Sequence, residues 1–520
     1  MQWSQSNGHV PPKYPSPIPY LGIIVPLLYD TKGAVTRFTS FNGRATVARL
    51  AILPGIDIFL YQSPVVVARI WKESAQLNFR PFAARFLRAC GMPKEAASKY
   101  IVDTSGQFKP FPGSNIPEEL RINHINYEGY SQALTGRGLA PTFQRFVKAF
   151  FNNTKGLETI EWKSIDDYWV FIQDTAGASI LEAFYGPTLL QINPNFMRTF
   201  FEFDVMVPGL LKGIPSRKAA GIRESAISQI ISWSRYAKAH FRKTSVYEDG
   251  DGDPFWGSSW TRYRHEQFSR FFGEDSVASI DLGVVWGSVS NLVPCVLMAT
   301  LHVLQDPELL CRVKREIDEV CGHGPLSELD LKHLSNRPLL SSIYAETLRL
   351  HVAVFMPVMP LHDEVNLGKW RIPKGTYGLI NSGVSHMDKN MWNTNEGNHP
   401  VDTFWADRFI INPAVPSSGP IDPRNPMAEE TRSADAKKPY FTTRGLEGCW
   451  IPYGGGQDMC PGRFFAKDVI ISTLSILINR FDIELQLDSI PLSDNRFGFG
   501  IEHPTSHIPF RIRKRKSSTY

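Results

Sequence analysis

A glycine-rich run with one cysteine, directly ahead of an apolar stretch, places the strongest restriction on how this chain can fold. The run covers 453–462 and contains Cys460, and the apolar stretch follows over 463–477. Glycines permit positive φ and close backbone approach, and Pro461 suits the first turn of a helix. We therefore expect a tight turn that holds one thiol near a helix N-terminus, where the thiolate form is favoured.

A thiolate at such a turn is suited to ligate haem iron. It is a strong, negatively charged donor that pushes electron density towards O–O cleavage, so Cys460 is a candidate for the chemistry. The glycines at 454–456 would let the backbone approach a porphyrin and turn N–H groups towards the sulfur. A lone cysteine beside a glycine turn is also a common buried apolar residue, and the run by itself leaves both interpretations open.

Two further motifs precede the cysteine. Glu346 and Arg349 have the i, i+3 spacing that places a carboxylate and a guanidinium on one helix face, although an isolated exposed pair of this kind contributes little to stability. The segment 404–409, which contains Arg408, follows. In this order and spacing the three motifs resemble the cytochrome P-450 superfamily of haem-thiolate monooxygenases, and the resemblance extends over nearly the whole chain.

The resemblance implies a mainly α fold with small β-sheets, a triangular helical domain around a buried haem b. It makes Cys460 the axial iron ligand. Glu346, Arg349 and Arg408 would form a buried triad that stabilises the segment carrying the ligand loop. The further residues that it assigns to the haem-binding loop are Tyr453, Gly456 and Gly462.

Composition is typical of a globular enzyme. Apolar residues make up 42% of the chain and charged residues 21%, which is too little charge for a disordered chain. Six cysteines without a CxxC pair argue against a disulfide framework or a zinc site and indicate a reducing compartment. The net charge of +5 is compatible with an acidic reductase or an anionic membrane surface, and it is far from a nucleic-acid-binding signature.

A run without any charged residue, 282–301, satisfies a hydropathy criterion for a transmembrane helix. Its internal polar residues and proline, and the long buried helix that the resemblance places here, favour a core helix instead. In that family helix a threonine preceded by an acid relays protons to dioxygen, whereas this chain has Ser290 and Asn291. The segment 286–294 resembles the branch that contains sterol 7α- and 12α-hydroxylases and prostacyclin synthase.

Ser290 and Asn291 are therefore the candidate catalytic residues. An amide can donate a hydrogen bond to an oxygen or a substrate group, but it does not titrate as a carboxylic acid does. Proton delivery would then rely on ordered water. The alternative is that Asn291 only caps or kinks the helix beside Pro294.

Three positions depart from the usual haem pocket of the family. Asp458 and Met359 stand where a basic residue often binds a haem propionate, and Tyr453 replaces a phenylalanine. An acid facing a propionate would be repulsive, so we expect Asp458 to point away. His124 and Arg121 are alternative propionate donors.

We expect neither a signal peptide nor a membrane-spanning helix in the amino-terminal part, because the apolar segment 20–28 is short and contains a proline. We expect 1–22 to be a proline-rich segment without the usual membrane anchor, and 23–520 to be a single catalytic domain. The expected location is the cytosolic face of the endoplasmic reticulum membrane, with peripheral contact through apolar surface such as 205–211. A buried helix end is the alternative for 205–211.

These features predict a monooxygenase that uses O2 to oxidise a small hydrophobic intermediate of fungal biosynthesis, a terpenoid, steroid or polyketide. Electrons would come from NADPH through a separate NADPH-cytochrome P-450 reductase, because the chain has no flavin or nicotinamide fingerprint. Asn291 motivates an alternative, a reductase-independent isomerase or dehydratase of hydroperoxides or endoperoxides. A third hypothesis from the same motifs is a non-catalytic haem-binding protein.

Overall fold

Helices dominate the described part of the chain, which in the computed structural model comprises residues 9–44, 47–74, 77, 80–103, 105–110, 113–117, 120–322, 324–360 and 363–515. In chain order the first helices are α1 (Leu21–Tyr29), α2 (Thr31–Arg44), α3 (Pro64–Lys72), α4 (Arg80–Ala89), α5 (Lys94–Val102), α6 (Ile122–Leu134), α7 (Leu139–Thr154), α8 (Tyr168–Ile172), α9 (Ala178–Tyr185), α10 (Thr188–Ile192) and α11 (Phe196–Lys212). The others are α12 (Arg217–His240), α13 (Ser259–Phe268), α14 (Glu274–Val289), α15 (Leu292–Leu304), α16 (Pro307–Cys321), α17 (Glu328–Leu334), α18 (Pro338–His351), α19 (Ser382–His386), α20 (Met427–Glu430) and α21 (Arg463–Arg480).

The strands are short. They are β1 (Val47–Leu53), β2 (Ile56–Tyr61), β3 (Lys163–Ile165), β4 (Val352–Val358), β5 (Val365–Leu367), β6 (Trp370–Ile372), β7 (Tyr377–Asn381), β8 (Ile410–Ile411), β9 (Tyr440–Phe441), β10 (Phe481–Leu485), β11 (Leu492–Ser493), β12 (Phe499–Ile501), β13 (His503–Pro504) and β14 (Phe510–Lys514). The predicted mainly α fold with small β-sheets is confirmed.

The chain forms two compact units. The first unit comprises Met1–Phe79, Arg337–Cys460 and Leu492–His503, and the second comprises Arg80–Asn336, Pro461–Pro491 and Pro504–Tyr520. The candidate ligand Cys460 belongs to the first unit, and the candidate catalytic residues Ser290 and Asn291 belong to the second. The single catalytic domain over 23–520 stays a prediction.

A five-stranded sheet organises the first unit. Its strand order is β1-β2-β7-β4-β12, with β2 and β7 parallel and the other pairs antiparallel. Valine-rich β4 lies between β7 and β12, and its Val354 pairs with Phe499 of β12. Apolar side chains of β1, β2 and β7 pack with Val67 and Ile70 of α3. The packing is stabilised because all these side chains are removed from water. This packing holds α3 close to the cysteine run.

The long uncharged run forms the core of the second unit. It lies in α14 and α15, which are buried on nearly every side, as expected of helices that are apolar all round. The segment 274–304 is long and apolar enough to cross a membrane, but 78% of its most apolar 18-residue stretch is buried inside the protein. The predicted core helix is confirmed, with a turn at Ser290 and Asn291 that separates its two segments.

The stretch 205–211 lies within α11. Val207 and Leu211 are buried, whereas Val205 is 58% exposed. The stretch is therefore part of a helix with one buried face, and it is not a continuous apolar surface.

Candidate active site

Cys460 ends a loop whose backbone is fixed within the first unit. Its N–H donates to the carbonyl of Tyr453 at 2.9 Å, which closes the run into a loop. Gly456 has a φ of +63°, and a Cβ at this position would lie 2.5 Å from Ser74. Ser74 Oγ in turn accepts from the N–H of Gln457 at 3.1 Å. Only glycine fits at 456, because the loop packs this closely against the residues that follow α3.

The cysteine loop also packs closely against Trp71, whose indole N–H is an unsatisfied hydrogen-bond donor. A Cβ at Gly455 would lie 2.6 Å from the indole of Trp71, the next-to-last residue of α3. Trp71 Nε1 is buried and has no hydrogen-bond partner among the described residues. A buried donor without a partner costs about 1–3 kcal/mol, so a bound group with acceptor atoms would be stabilised at this place.

Cys460 differs in burial from three other cysteines of the chain. Burial raises the pKa of Cys90 and Cys295, and it raises the pKa of Cys449 to about 12, so these thiols remain neutral near physiological pH. Cys460 is only half-buried and lies three residues before α21 begins at Arg463. The structure thus distinguishes Cys460 from the buried thiols.

Two other residues of the run have different surroundings. Gly462 immediately precedes α21, and its carbonyl accepts from the N–H of Ala466 at 2.8 Å. Asp458 is reached by solvent, but the protein crowded around it raises the pKa of its carboxyl group to about 7.

The alternative propionate donors are both engaged by a neighbouring segment of the second unit. Arg121 Nη2 donates to the carbonyls of Ser105 and Phe108, at 3.2 and 2.8 Å. His124 Nδ1 lies 2.8 Å from the carbonyl of Gln107. These contacts tie the start of α6 to residues 105–108.

Tyr453 links the cysteine loop to α18. Tyr344 Oη donates to Tyr453 Oη at 2.9 Å, and Trp450 Nε1 donates to the carbonyl of Ala345 at 3.1 Å. A phenylalanine at 453 has no hydroxyl and cannot accept the first of these bonds. The tyrosine therefore adds a fixed contact between the loop and the helix that carries Glu346.

We expect Tyr453→Phe to lower the free energy of unfolding by about 1 kcal/mol, because it removes one partly buried hydrogen bond. Tyr344→Phe should have a similar effect, and the double variant should lose less than the sum of the two. A double-mutant cycle on the unfolding of the haem-loaded protein measures this coupling. Strictly additive losses would show that the two hydroxyls do not act as a pair.

The predicted triad residues lie together in the first unit. Arg349 holds Glu346 with two parallel bonds, from Nε to Oε2 at 2.7 Å and from Nη2 to Oε1 at 2.8 Å. Arg408 Nε donates to Oε1 at 2.9 Å. All three side chains are fully buried. Burial lowers the pKa of Arg408, and the Glu346 charge opposes that shift.

The sequence does not reveal the backbone groups that complete this cluster. The N–H of Trp405 donates to Glu346 Oε1 at 3.1 Å, so the carboxylate accepts four hydrogen bonds. The remaining donors of Arg349 and Arg408 bond to backbone carbonyls, which are those of His386, Val401, Asn393, His399, Pro400 and Thr403. The triad thus fixes the chain over 386–405 as well as α18.

His386 is a further residue of this network, and no motif in the sequence indicates it. Its Nε2 accepts from the N–H of Ile451 at 3.0 Å, so Nδ1 carries the proton and faces the carbonyl of Val352 at 3.2 Å. Burial lowers the pKa of His386 to about 3, and it stays neutral. Because its carbonyl accepts from Arg349, His386 connects the triad to the segment leading to Cys460.

In the second unit, Asn291 lies in the turn between α14 and α15. It stands at the N-cap position of α15, but its side chain makes no capping bond, and its Oδ1 is buried without a partner in the described part of the chain. Gly287, one turn earlier, is exposed, and a Cβ there would meet nothing within 4 Å. A turn at Asn291 separates the two helices, yet its side-chain amide does not cap α15.

Ser290, in the same turn, contacts α11. Its Oγ donates to Asp204 Oδ1 at 2.6 Å, and both side chains are fully buried. Asp204 lies on α11 among phenylalanines. A carboxylate therefore does stand beside the predicted catalytic pair, although it comes from another helix and was missed from the sequence.

Comparisons with known proteins agree with these features. The family model described as Cytochrome P450 matches residues 265–401. The chain is 30% identical to cytochrome P450 monooxygenase efuG of Hormonema carpetanum, over 97% of this chain and 90% of that protein. It is also 30% identical to cytochrome P450 monooxygenase fsoE of Humicola fuscoatra, over 97% and 88%.

A mammalian sterol enzyme is a more distant relative. The 25-hydroxycholesterol 7-alpha-hydroxylase of Rattus norvegicus is 24% identical over 85% of this chain and 97% of that protein. The resemblance to the sterol hydroxylase branch is thereby confirmed. Since two fungal monooxygenases match it over nearly its whole length, the chain belongs to the cytochrome P450 family of monooxygenases.

Proposed function

We propose that the protein is a haem-thiolate monooxygenase that oxidises a small hydrophobic biosynthetic intermediate, a terpenoid, steroid or polyketide. Electrons come from NADPH through a separate NADPH-cytochrome P-450 reductase. The observation that carries the proposal is the connected arrangement in the first unit, where hydrogen bonds run from the buried Glu346 cluster to the loop that ends in Cys460. Membership of the cytochrome P450 family supports it.

The residues of this loop fit a haem b whose iron takes a cysteine thiolate. Cys460 is the half-buried thiol of the loop, and Trp71 Nε1 is an unsatisfied donor against it. Haem bound through Cys460 supplies the oxidising chemistry. The protein's part is to hold the sulfur in place, which Tyr453 does through its carbonyl and Ser74 does through its contact with Gln457.

Asn291 serves as a fixed hydrogen-bonding group for a substrate or an ordered water molecule. Its side chain is not consumed by capping, and its buried Oδ1 lacks a partner in the described part of the chain. An amide both donates and accepts, so it can orient water without changing its own charge. Ser290, the other candidate, acts through Asp204.

An apolar wall in the first unit supports a hydrophobic substrate. The inner residues of β4, 353–357, are all apolar and only partly buried. Phe355 and Phe499 pack edge to face with centroids 6.1 Å apart. A steroid-like substrate is in keeping with the rat relative, which is named for 25-hydroxycholesterol.

Peripheral attachment to the cytosolic face of the endoplasmic reticulum membrane is part of the proposal. Leu21, Val25 and Tyr29 recur every fourth residue of α1, with exposures of 58%, 45% and 85%. Apolar side chains at this spacing share one helix face and can enter a lipid surface. The net positive charge favours an anionic surface as well.

The proposal is tested by deleting the gene from its host, identifying the metabolite that accumulates and offering it to the purified protein. We expect conversion only when NADPH, O2 and reductase are all present. Rapid consumption of a lipid hydroperoxide without any NADPH-coupled turnover would instead show that the protein is a reductase-independent isomerase or dehydratase. Binding of CO by the reduced protein, with neither activity, would establish a non-catalytic haem protein.

A further inference from the structure

A buried carboxylate ties α11 to the turn between α14 and α15. Asp204 is the one charged residue on the buried face of α11, whose other buried members are Phe196, Met197, Phe200, Phe201, Phe203, Val207, Pro208 and Leu211. A carboxylate removed from water is costly unless it is hydrogen-bonded. Its Oδ1 accepts a hydrogen bond from Ser290 Oγ at 2.6 Å, so this buried oxygen is satisfied.

This bond falls where the backbone needs support. Residues 290 and 291 lie in a turn between two helices, and Pro294 has no N–H to donate back to the carbonyl of Ser290. The N–H of Ser290 still bonds to the carbonyl of Trp286 at 3.0 Å, so Ser290 is the last residue held by α14. The Asp204 contact therefore fixes the residue at which α14 ends.

Fixing Ser290 also fixes the direction of the next side chain. Both residues have right-handed backbone angles, with φ of −59° at Ser290 and −101° at Asn291. Successive residues in this conformation point in different directions, so the bond that holds Ser290 towards α11 also constrains where the Asn291 side chain points. Asn291 lies four residues after Gly287, where the helix surface is open. A shift of the turn would move the buried Oδ1 of Asn291 from its present position.

We propose that Asp204 is a positioning residue for Asn291. Its carboxylate holds Ser290, sets the turn between α14 and α15, and thereby presents the Asn291 amide to substrate or water. The inference rests on the proposed catalytic use of Asn291, and it assigns to α11 a carboxylate that the α14 sequence lacks at this point.

The test compares Ser290→Ala and Asp204→Asn with a matched serine control. Ser288→Ala is the control, because Ser288 Oγ donates only within its own helix, to the carbonyls of Val284 and Val285. We expect Ser290→Ala to speed hydrogen exchange of the backbone amides at 288–292 about tenfold, since one buried hydrogen bond is lost. Asp204→Asn should give a smaller increase, and the double variant should match Ser290→Ala.

The same variants are then assayed with reductase and NADPH. We expect Ser290→Ala to lower kcat with little change in KM and to divert a larger share of electrons to H2O2, while Ser288→Ala behaves like the unmodified protein. Wild-type exchange rates in Ser290→Ala, or a Ser288→Ala effect of equal size, would overturn the proposal. If no variant or wild-type protein turns over, the proposed function fails, and the exchange measurement still decides the positioning role.

Discussion

The Glu346→Ala variant is expected to yield little or no haem-loaded protein. The substitution removes the acceptor of four hydrogen bonds and leaves two guanidinium groups buried without their counter-charge. Breaking one buried ion pair in this way typically costs about 3–5 kcal/mol. That is a large part of the 5–15 kcal/mol that stabilises a native protein. The haem-to-protein ratio of the purified variant, together with its thermal unfolding, measures the effect.

Glu484→Ala is the matched control for this loss. Glu484 accepts from Arg511 Nε at 2.8 Å, but both side chains are largely exposed, so the pair contributes at most about 1 kcal/mol. We expect this variant to keep a normal haem content. Normal haem content in Glu346→Ala itself would contradict the structural role of the cluster.

The expected loss extends beyond α18 because of what the arginines hold. Arg349 and Arg408 donate to carbonyls at six positions between 386 and 403, and His386 passes this order on to Ile451. Without Glu346 the two like charges repel each other and these contacts loosen together. The cysteine loop should therefore lose its support even though none of its own residues is changed.

The parts of this site that could be predicted from the sequence are short, contiguous motifs whose residue types are restricted by the local structure. Glycines around Cys460 and the i, i+3 pair of Glu346 and Arg349 each restrict the local backbone, so their residue types remain recognisable in a single sequence. The uncharged run was predictable as a core helix for the same reason, since its composition is incompatible with solvent.

The remaining contacts join residues far apart in the chain. Trp405 is 59 residues from Glu346 and acts through its backbone N–H, which every residue except proline possesses. His386 reaches Ile451 across 65 residues. Nothing in either residue type indicates the partner, because tertiary packing alone brings them together.

Asp204 is an intermediate case. An acid within the apolar sequence of α11 indicates that some buried partner exists, because an isolated charge there would be costly. The partner, Ser290, lies 86 residues away and has no distinguishing neighbours. The sequence could therefore predict the need for a contact but not its location, and it could not show that the contact supports Asn291.

The Cys460→Ser variant is expected to lose the thiolate-type CO difference spectrum and all NADPH-dependent turnover. Serine is nearly isosteric, and the N–H at 460 can still donate to the Tyr453 carbonyl, so the loop should keep its shape. What is lost is the sulfur, whose thiolate donates electron density that a neutral hydroxyl does not. The spectrum of the reduced, CO-treated variant and a reductase assay measure the two effects.

Cys449→Ser provides the comparison that separates ligation from folding. Cys449 lies in the same unit, is fully buried and donates through Sγ to the carbonyl of Leu446 at 3.2 Å. Its pKa is raised to about 12, so it is a neutral thiol that a hydroxyl can replace as a donor. We expect this variant to retain the thiolate-type spectrum. If Cys460→Ser retained this spectrum as well, another residue would have to be the iron ligand, because replacing the sulfur of the true ligand by oxygen must change the spectrum.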